Sequence, residues 1–293
     1  MPQFTIQLKN EERFLDTNTL FTFLWAHKNY ASHIEFGFYG EQLEHPKIRV
    51  ILNFLSYINK SFSILTQGDC LKEKVSFIDD YYLANSHFTF LLQGKDEKTI
   101  KKITGKNIFD QILESMEYLK DKKIAFDVVM PINNVNYKQI EDVFDISCHY
   151  GCRMFLPIEE FPTEEGKKRL LNDRQKQKVM NVIEDLVPTG RVKKTIQFEP
   201  PEANCSYLRK ERIFMDAFGR LSHCHFLSYL KNTQLTENSF DRCQGKCILE
   251  INEEMRDKFL EMKTKELPSW EKPRKLSSPC SYCLSKFTQN NEW

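Results

Sequence analysis

The sequence predicts an α/β fold built on a parallel sheet and followed by a small cysteine-rich region, and three observations carry that expectation. Short apolar runs alternate with amphipathic segments from the N-terminus to about residue 190; the alternation stops after Pro188-Thr189-Gly190; and six of the nine cysteines fall between residues 205 and 283. A strand-helix-strand rhythm implies right-handed crossovers, so the sheet either spreads into a doubly wound layer or curls into a barrel. In both cases ligands gather at the C-terminal ends of the strands.

Strands are expected over residues 3–8, 33–38, 61–65, 86–91, 124–130 and 153–156, and helices over 19–27, 47–57, 108–120 and 137–150, from the two hydrophobic periods. The charge-dense stretch 163–178 reads as a solvated loop or helix start. The run Gln197-Phe198-Glu199-Pro200-Pro201 breaks regularity, which divides the chain into 1–195 and 196–293. Residues 213–224 read as a hairpin turning at Gly219, with Cys224 on the return strand. The aromatic side chains near these elements, Phe21, Phe23, Trp25, Phe36, Phe38, Phe54 and Phe62, are expected in the core.

Composition narrows the function. Lys and Arg number 42 against 41 Asp and Glu, a net charge of +1, so no global field draws the protein to nucleic acid or membrane. No apolar run approaches the roughly 20 residues of a membrane span, and the first ten residues lack the basic and apolar regions of an export signal. A cytoplasmic protein is the expectation. In a reducing compartment, crowded cysteines favour metal ligation over disulfides. Cys148 and Cys152, beside His149 in a half-apolar helix, read as packing. There is no P-loop, nucleophile elbow, zinc-protease helix or dinucleotide fingerprint.

The tail carries the strongest signal. Cys205 and Cys224 flank the hairpin, and Cys243-Gln-Gly-Lys-Cys247 and Cys280-Ser-Tyr-Cys283 follow. A tight turn lets two thiolates reach one centre, and a glycine gives the backbone room to approach it. Four thiolates suit zinc or an iron–sulfur cluster, and spacing does not choose between them. His223 and His225 flank Cys224 but point to the other side of the strand, so they read as structural or solvent-facing.

The spacing Cys205-x13-Gly219-x4-Cys224 resembles the opening of the SPASM or twitch extension that follows radical S-adenosylmethionine (radical SAM) barrels. Other stretches resemble that barrel in order along the chain. They are Tyr39-Gly40-Glu41-Gln42 for the loop that binds the amino group of S-adenosylmethionine, Thr66-Gln67-Gly68 for the end of the next strand, Thr104-Gly105-Lys106 for the fourth strand's loop, and Asn133-Asn134-Val135-Asn136 for the fifth strand's end. The resemblance implies a radical-SAM-type partial (β/α)6 barrel with a small cysteine-rich C-terminal domain. It implies a S-adenosylmethionine pocket at Gly40, Glu41, Thr66 and Asn133, and one auxiliary [4Fe–4S] cluster held among Cys205, Cys224, Cys243, Cys247, Cys280 and Cys283. Zinc is the alternative metal. Read without the resemblance, Glu41 is a loop carboxylate and Asn133, Asn134 and Asn136 are turn and capping residues.

One departure weighs against catalysis. The superfamily's Cys-x3-Cys-x2-Cys follows the first strand and holds the cluster that reduces S-adenosylmethionine; here residues 7–17 contain no cysteine, and Tyr39 stands where the pattern has glycine. The expectation is therefore a degenerate or accessory member of the peptide and protein maturase group that binds a peptide or a partner enzyme. Whether S-adenosylmethionine still binds stays open. An active peptide-modifying enzyme that uses a partner's cluster or the tail's is one alternative, and a structural zinc-binding interaction protein is the other.

Overall fold

Polar and apolar residues alternate strictly in the early strands: Phe4 and Ile6 against Thr5 and Gln7, Ile34 and Phe36 against His33 and Glu35, Phe62 and Ile64 against Ser61 and Ser63, Phe88 and Phe90 against His87 and Thr89. Parallel strands covered on both faces read as continuous apolar runs instead. Alternation therefore implies one face against helices and one lined with hydrogen-bonding groups. A computed structural model, which describes residues 3–10, 13–37, 40–78, 80–160, 169–193 and 212–222, has this arrangement.

One sheet contains β1 (Gln3–Ile6), β2 (His33–Phe36), β3 (Ser61–Thr66), β4 (His87–Leu91), β5 (Phe126–Ile132), β6 (Phe155–Glu159), β7 (Arg212–Met215) and β8 (Leu221–Ser222). Its order is β6-β5-β4-β3-β2-β1-β7-β8. Strands β1 to β7 run parallel, and β8 returns antiparallel to β7. The edges β6 and β8 do not pair with each other, so the barrel is partial. The helices are α1 (Thr17–Ala26), α2 (Ile48–Tyr57), α3 (Leu71–Val75), α4 (Asp80–Ala84), α5 (Glu97–Thr104), α6 (Phe109–Asp121), α7 (Ile140–His149) and α8 (Asp173–Leu186). No helix among the described residues is long and apolar enough to cross a membrane.

The core lies between sheet and helices. Phe4 meets Phe23 of α1 edge-on at 5.0 Å, Phe90 meets Phe126 at 5.2 Å, and Phe36, Phe62, Phe88 and Phe155 are fully buried. Such pairs add roughly 0.5–1.5 kcal/mol each beyond the area they bury. The opposite row, Thr5, Glu35, Ser63, Thr89, lines the inside of the barrel, where β3 and β4 stay half exposed while β5 is buried along its length.

Several expectations are corrected. Strands β5 and β6 start and end later than the sequence indicates, because a proline reads as the end of each. Pro131 lies beyond the last β4 pair, Leu91 with Val129, and Pro157 lies past the outer bridge from Phe155 to Val192, where no ladder bond depends on the missing N–H. Of the two readings of 163–178, loop or helix start, the described part has the helix start. Asn172 Oδ1 accepts from the Gln175 amide and Gln175 Oε1 accepts from the Asn172 amide, a capping box that starts α8, and Val179 and Ile183 bury that helix. Trp25 is 49% exposed and is not a core residue. The hairpin pairs Phe214 with Ser222 and Met215 with Leu221, yet β7 also pairs along β1, so residues assigned by sequence to the second region extend the barrel sheet. Cys205, Cys224, Cys243, Cys247, Cys280, Cys283, Phe38 and Tyr39 lie outside the described residues. Cys148 and Cys152 pack together, and burial pushes the Cys152 thiol up to about 12.

Candidate functional site

The C-terminal ends of the strands form the barrel mouth. After β1 the chain turns back at once: Lys9 bridges Phe14 antiparallel, the Asn10 amide donates to Arg13 O at 3.0 Å and Leu15 N to Leu8 O at 2.8 Å, and Asn10 Oδ1 accepts from Arg13 N at 2.8 Å. Asp16 then caps α1, accepting from Thr19 N and Thr19 Oγ1. A short turn with no thiol thus occupies the segment between β1 and α1.

That turn is fastened to the loop after β2. Gln42, fully buried, accepts from Leu8 N at 2.6 Å; Lys9 pairs with Glu44; and His45 Nε2 reaches Leu15 O at 2.9 Å while its Nδ1 accepts from Lys47 N. Burial lowers the His45 pKa. Lys106, from the loop between α5 and α6, sits 3.2 Å from Gln67 Oε1 and 3.4 Å from Asp69.

Glu41 and Thr66 meet beneath this rim. One Glu41 oxygen accepts from Leu43 N at 3.0 Å; the other accepts from Thr66 Oγ1 at 2.8 Å and Gln67 N at 2.5 Å. Burial nevertheless pushes the carboxyl up to about 7. Gly68 closes the turn at φ +84, and a β-carbon there would lie 2.7 Å from the Phe90 ring, so only glycine fits. Of the expected pocket residues, Gly40, Glu41 and Thr66 are brought together with Gly40 exposed. Asn133 stands two strands away. Its Nδ2 donates to Glu160 Oε2 at 2.7 Å and its Oδ1 accepts from Val135 N and Asn136 N, while Asn136 Nδ2 donates to Gln93 O and Pro131 O. Both asparagines therefore lock the ends of β4, β5 and β6 together. Cys70 lies beside Glu41 and Asp69, and burial pushes its thiol up to about 12.

Four buried polar atoms have no hydrogen-bond partner among the described residues: Gln7 Oε1, Asp69 Oδ1, Glu97 Oε1 and Arg169 Nε. All four residues follow the C-terminal ends of strands, at the mouth. The sequence reading missed them, although Gln7 continues the polar row of β1. It also missed the barrel floor. There His33 spans Ser61 and Ser63, and Asp127 accepts from Arg153 Nε, Arg153 Nη2 and Met154 N with His87 Nε2 at 3.0 Å. Burial works to raise the Asp127 pKa, and the bonds from His87 and Arg153 outweigh it and hold it low.

A [4Fe–4S] cluster that cleaves S-adenosylmethionine needs three thiolates and one open iron. The residues after β1 do not fit such a group: Gln7 through Thr17 offer no thiol, and the turn's bonds to Gln42, Glu44 and His45 fill the segment. Among the described residues no group of three or more His, Cys, Asp or Glu is placed to hold a metal ion.

The sequence profile of the radical SAM superfamily matches residues 8–146. No curated protein matches the chain by sequence. Among solved structures, SuiB of Streptococcus suis bound to precursor peptide SuiA aligns at 12% identity with a TM-score of 0.62, covering 84% of this chain and 64% of that one. SuiB bound to S-adenosylmethionine aligns similarly, with a TM-score of 0.61 at 12% identity. Hexahistidine-tagged anSMEcpe with bound AdoMet aligns with a TM-score of 0.63 at 12% identity, covering 98% of this chain and 94% of that one. The chain thus spans less than two thirds of the length of SuiB, and these likenesses establish the fold. The profile match covers just under half of the chain, and the described strands and helices have the partial-barrel architecture of the radical SAM type.

Proposed function

We propose that this chain is an accessory or degenerate member of the peptide and protein maturase group, which takes a peptide or a segment of a partner enzyme at its barrel mouth and holds no S-adenosylmethionine-cleaving cluster of its own. The observation that carries the reading is the cysteine-free turn bolted to the loop after β2. The four unpartnered polar atoms around the mouth support a binding role, since buried groups left unsatisfied in a native protein call for an explanation. SuiB has been solved with a precursor peptide and anSMEcpe with AdoMet and a peptide, and a peptide is the class of ligand we assign here. Gly40, Glu41, Thr66 and Asn133 are the proposed remnant of the S-adenosylmethionine pocket. Cys205, Cys224, Cys243, Cys247, Cys280 and Cys283, in the cysteine-rich C-terminal region, are proposed to supply the ligands of one auxiliary [4Fe–4S] cluster, a folding staple that ties fold to metal content.

The test is anaerobic purification with iron, sulfide and zinc counts, followed by reduction in the presence of S-adenosylmethionine. The expected result is one four-iron cluster, lost in the Cys205→Ala, Cys224→Ala double variant, and no 5′-deoxyadenosine. Deoxyadenosine from the isolated chain overturns the accessory reading and makes the protein an enzyme. Stoichiometric zinc in a colourless protein replaces the cluster with a structural metal module.

A further inference from the structure

The outer faces of α1 and α2 differ from those of the other long helices. Helices α6 and α7 carry Asp and Glu along their length, and α8 carries them at both ends. Residues 17–34 and 45–68, which contain α1, α2 and the segments after them, include no Asp or Glu at all, in a chain where 41 of 293 residues are acidic. Helix α1 itself holds no charged residue and is apolar around most of its circumference, the composition of a helix covered on all sides. The side of it that bears Trp25 is nonetheless open. Trp25 is 49% exposed, Val50 51% and Tyr57 77%.

These side chains form one surface. Phe21 and Trp25 lie one turn apart on α1, and Val50, Phe54 and Tyr57 lie one turn apart on α2, spacings that put each set on a common face. Phe21 stacks on Phe54 with ring centroids 4.4 Å apart and 28° between planes, which joins the two helices. Cations border this surface: Lys28 Nζ lies 3.7 Å from the Trp25 ring centroid, and the exposed Arg49, next to Val50 on α2, leans over Phe77 at 4.7 Å from its ring centroid.

We propose that the α1–α2 face docks an acidic, amphipathic helix of a partner protein, with apolar side chains against Trp25, Val50 and Tyr57 and carboxylates toward Lys28 and Arg49. Charge selects the occupant. A second copy of the same face would set cations against cations, whereas a carboxylate-flanked apolar helix complements both the centre and the rim. The face lies on the outside of the barrel, so this docking is independent of what the mouth binds.

The test is selection of helical peptides from a display library against the full chain. Enrichment of Asp and Glu beside Leu or Phe at i and i+4 is expected. Binding of the selected peptides should weaken at least tenfold in Trp25→Ala, Tyr57→Ala, fall with added salt, and reverse its charge preference in Lys28→Glu, Arg49→Glu. Both pairs sit at the surface, and unchanged urea midpoints verify that the variants fold. A consensus without acidic residues overturns the proposal, as do binders indifferent to Trp25 and Tyr57. Binding to phosphatidylserine–phosphatidylcholine vesicles without any peptide binding makes the face a lipid surface instead. A dimer in sedimentation that the double alanine variant abolishes makes it a self-contact.

Discussion

At the barrel floor one carboxylate, Asp127, gathers two bonds from Arg153, one from the Met154 amide and a contact with His87; at the mouth, Gln7, Asp69 and Glu97 each bury an oxygen with no partner among the described residues. The two ends are built on the same strands and differ in what is left over. A floor whose groups are satisfied serves stability, which is the usual division of labour in parallel barrels. A mouth that keeps hydrogen-bonding capacity in hand is disposed to receive something.

The sharpest way to break this comparison is at the floor. Asp127→Ala leaves Arg153 and the Met154 amide without their acceptor and is predicted to cost about 3–5 kcal/mol, read from urea unfolding. A loss under about 1 kcal/mol would remove the floor from the list of structural devices.

The two ends are next separated by pH. Asp127 is held below its ordinary value, so its contribution is complete above about pH 4 and is lost as pH falls through the folded pKa. Glu41 is raised to about 7: the folded state keeps its proton, and the stability this confers is complete below about pH 4.5 and lost as pH rises through 7. The integrated effect is on the order of 3 kcal/mol. Between those limits Glu41 makes unfolding free energy fall with pH, and the fall should be smaller in Glu41→Gln than in the wild type whatever its offset; an unchanged slope assigns the titration elsewhere.

At the mouth a substitution toward apolar character should stabilise. Gln7→Leu replaces a fully buried amide whose oxygen is unpaired and is predicted to raise stability by about 1–2 kcal/mol. A loss would show that Gln7 has a structural partner. Of similar size and opposite sign is the effect of Gly219→Ala. Gly219 sits at φ +79, and a β-carbon added there would lie 2.8 Å from Thr19 Cγ2, so the variant is predicted to cost roughly 1–2 kcal/mol through strain at the hairpin's contact with α1.

Much of the barrel was legible because period-two alternation marks β1 to β4 and an apolar helical period marks α1. The β3–α3 turn was legible through Thr66-Gln67-Gly68, since only glycine serves there. Illegible were features set by distant chain. The oxygens of Glu41 are committed to Thr66 and Gln67, so a residue that reads as a loop carboxylate is buried. Asn133 reads as a turn residue and is one, but its bond to Glu160 is fixed by where β6 lands. Pro131 and Pro157 look like breakers until their positions past the neighbouring ladders are known. β7 reads as half of a local hairpin, and nothing local announces that its other edge belongs to β1.

That pairing of β1 with β7 sets a clock on biosynthesis. Ile213, the strand partner of Phe4, is made 209 residues after it. At roughly 5–20 residues per second the interval is on the order of ten to forty seconds. Throughout it β1 has one bare edge, the kind of template that recruits chaperones or neighbouring nascent chains, and that edge stays open until β7 arrives.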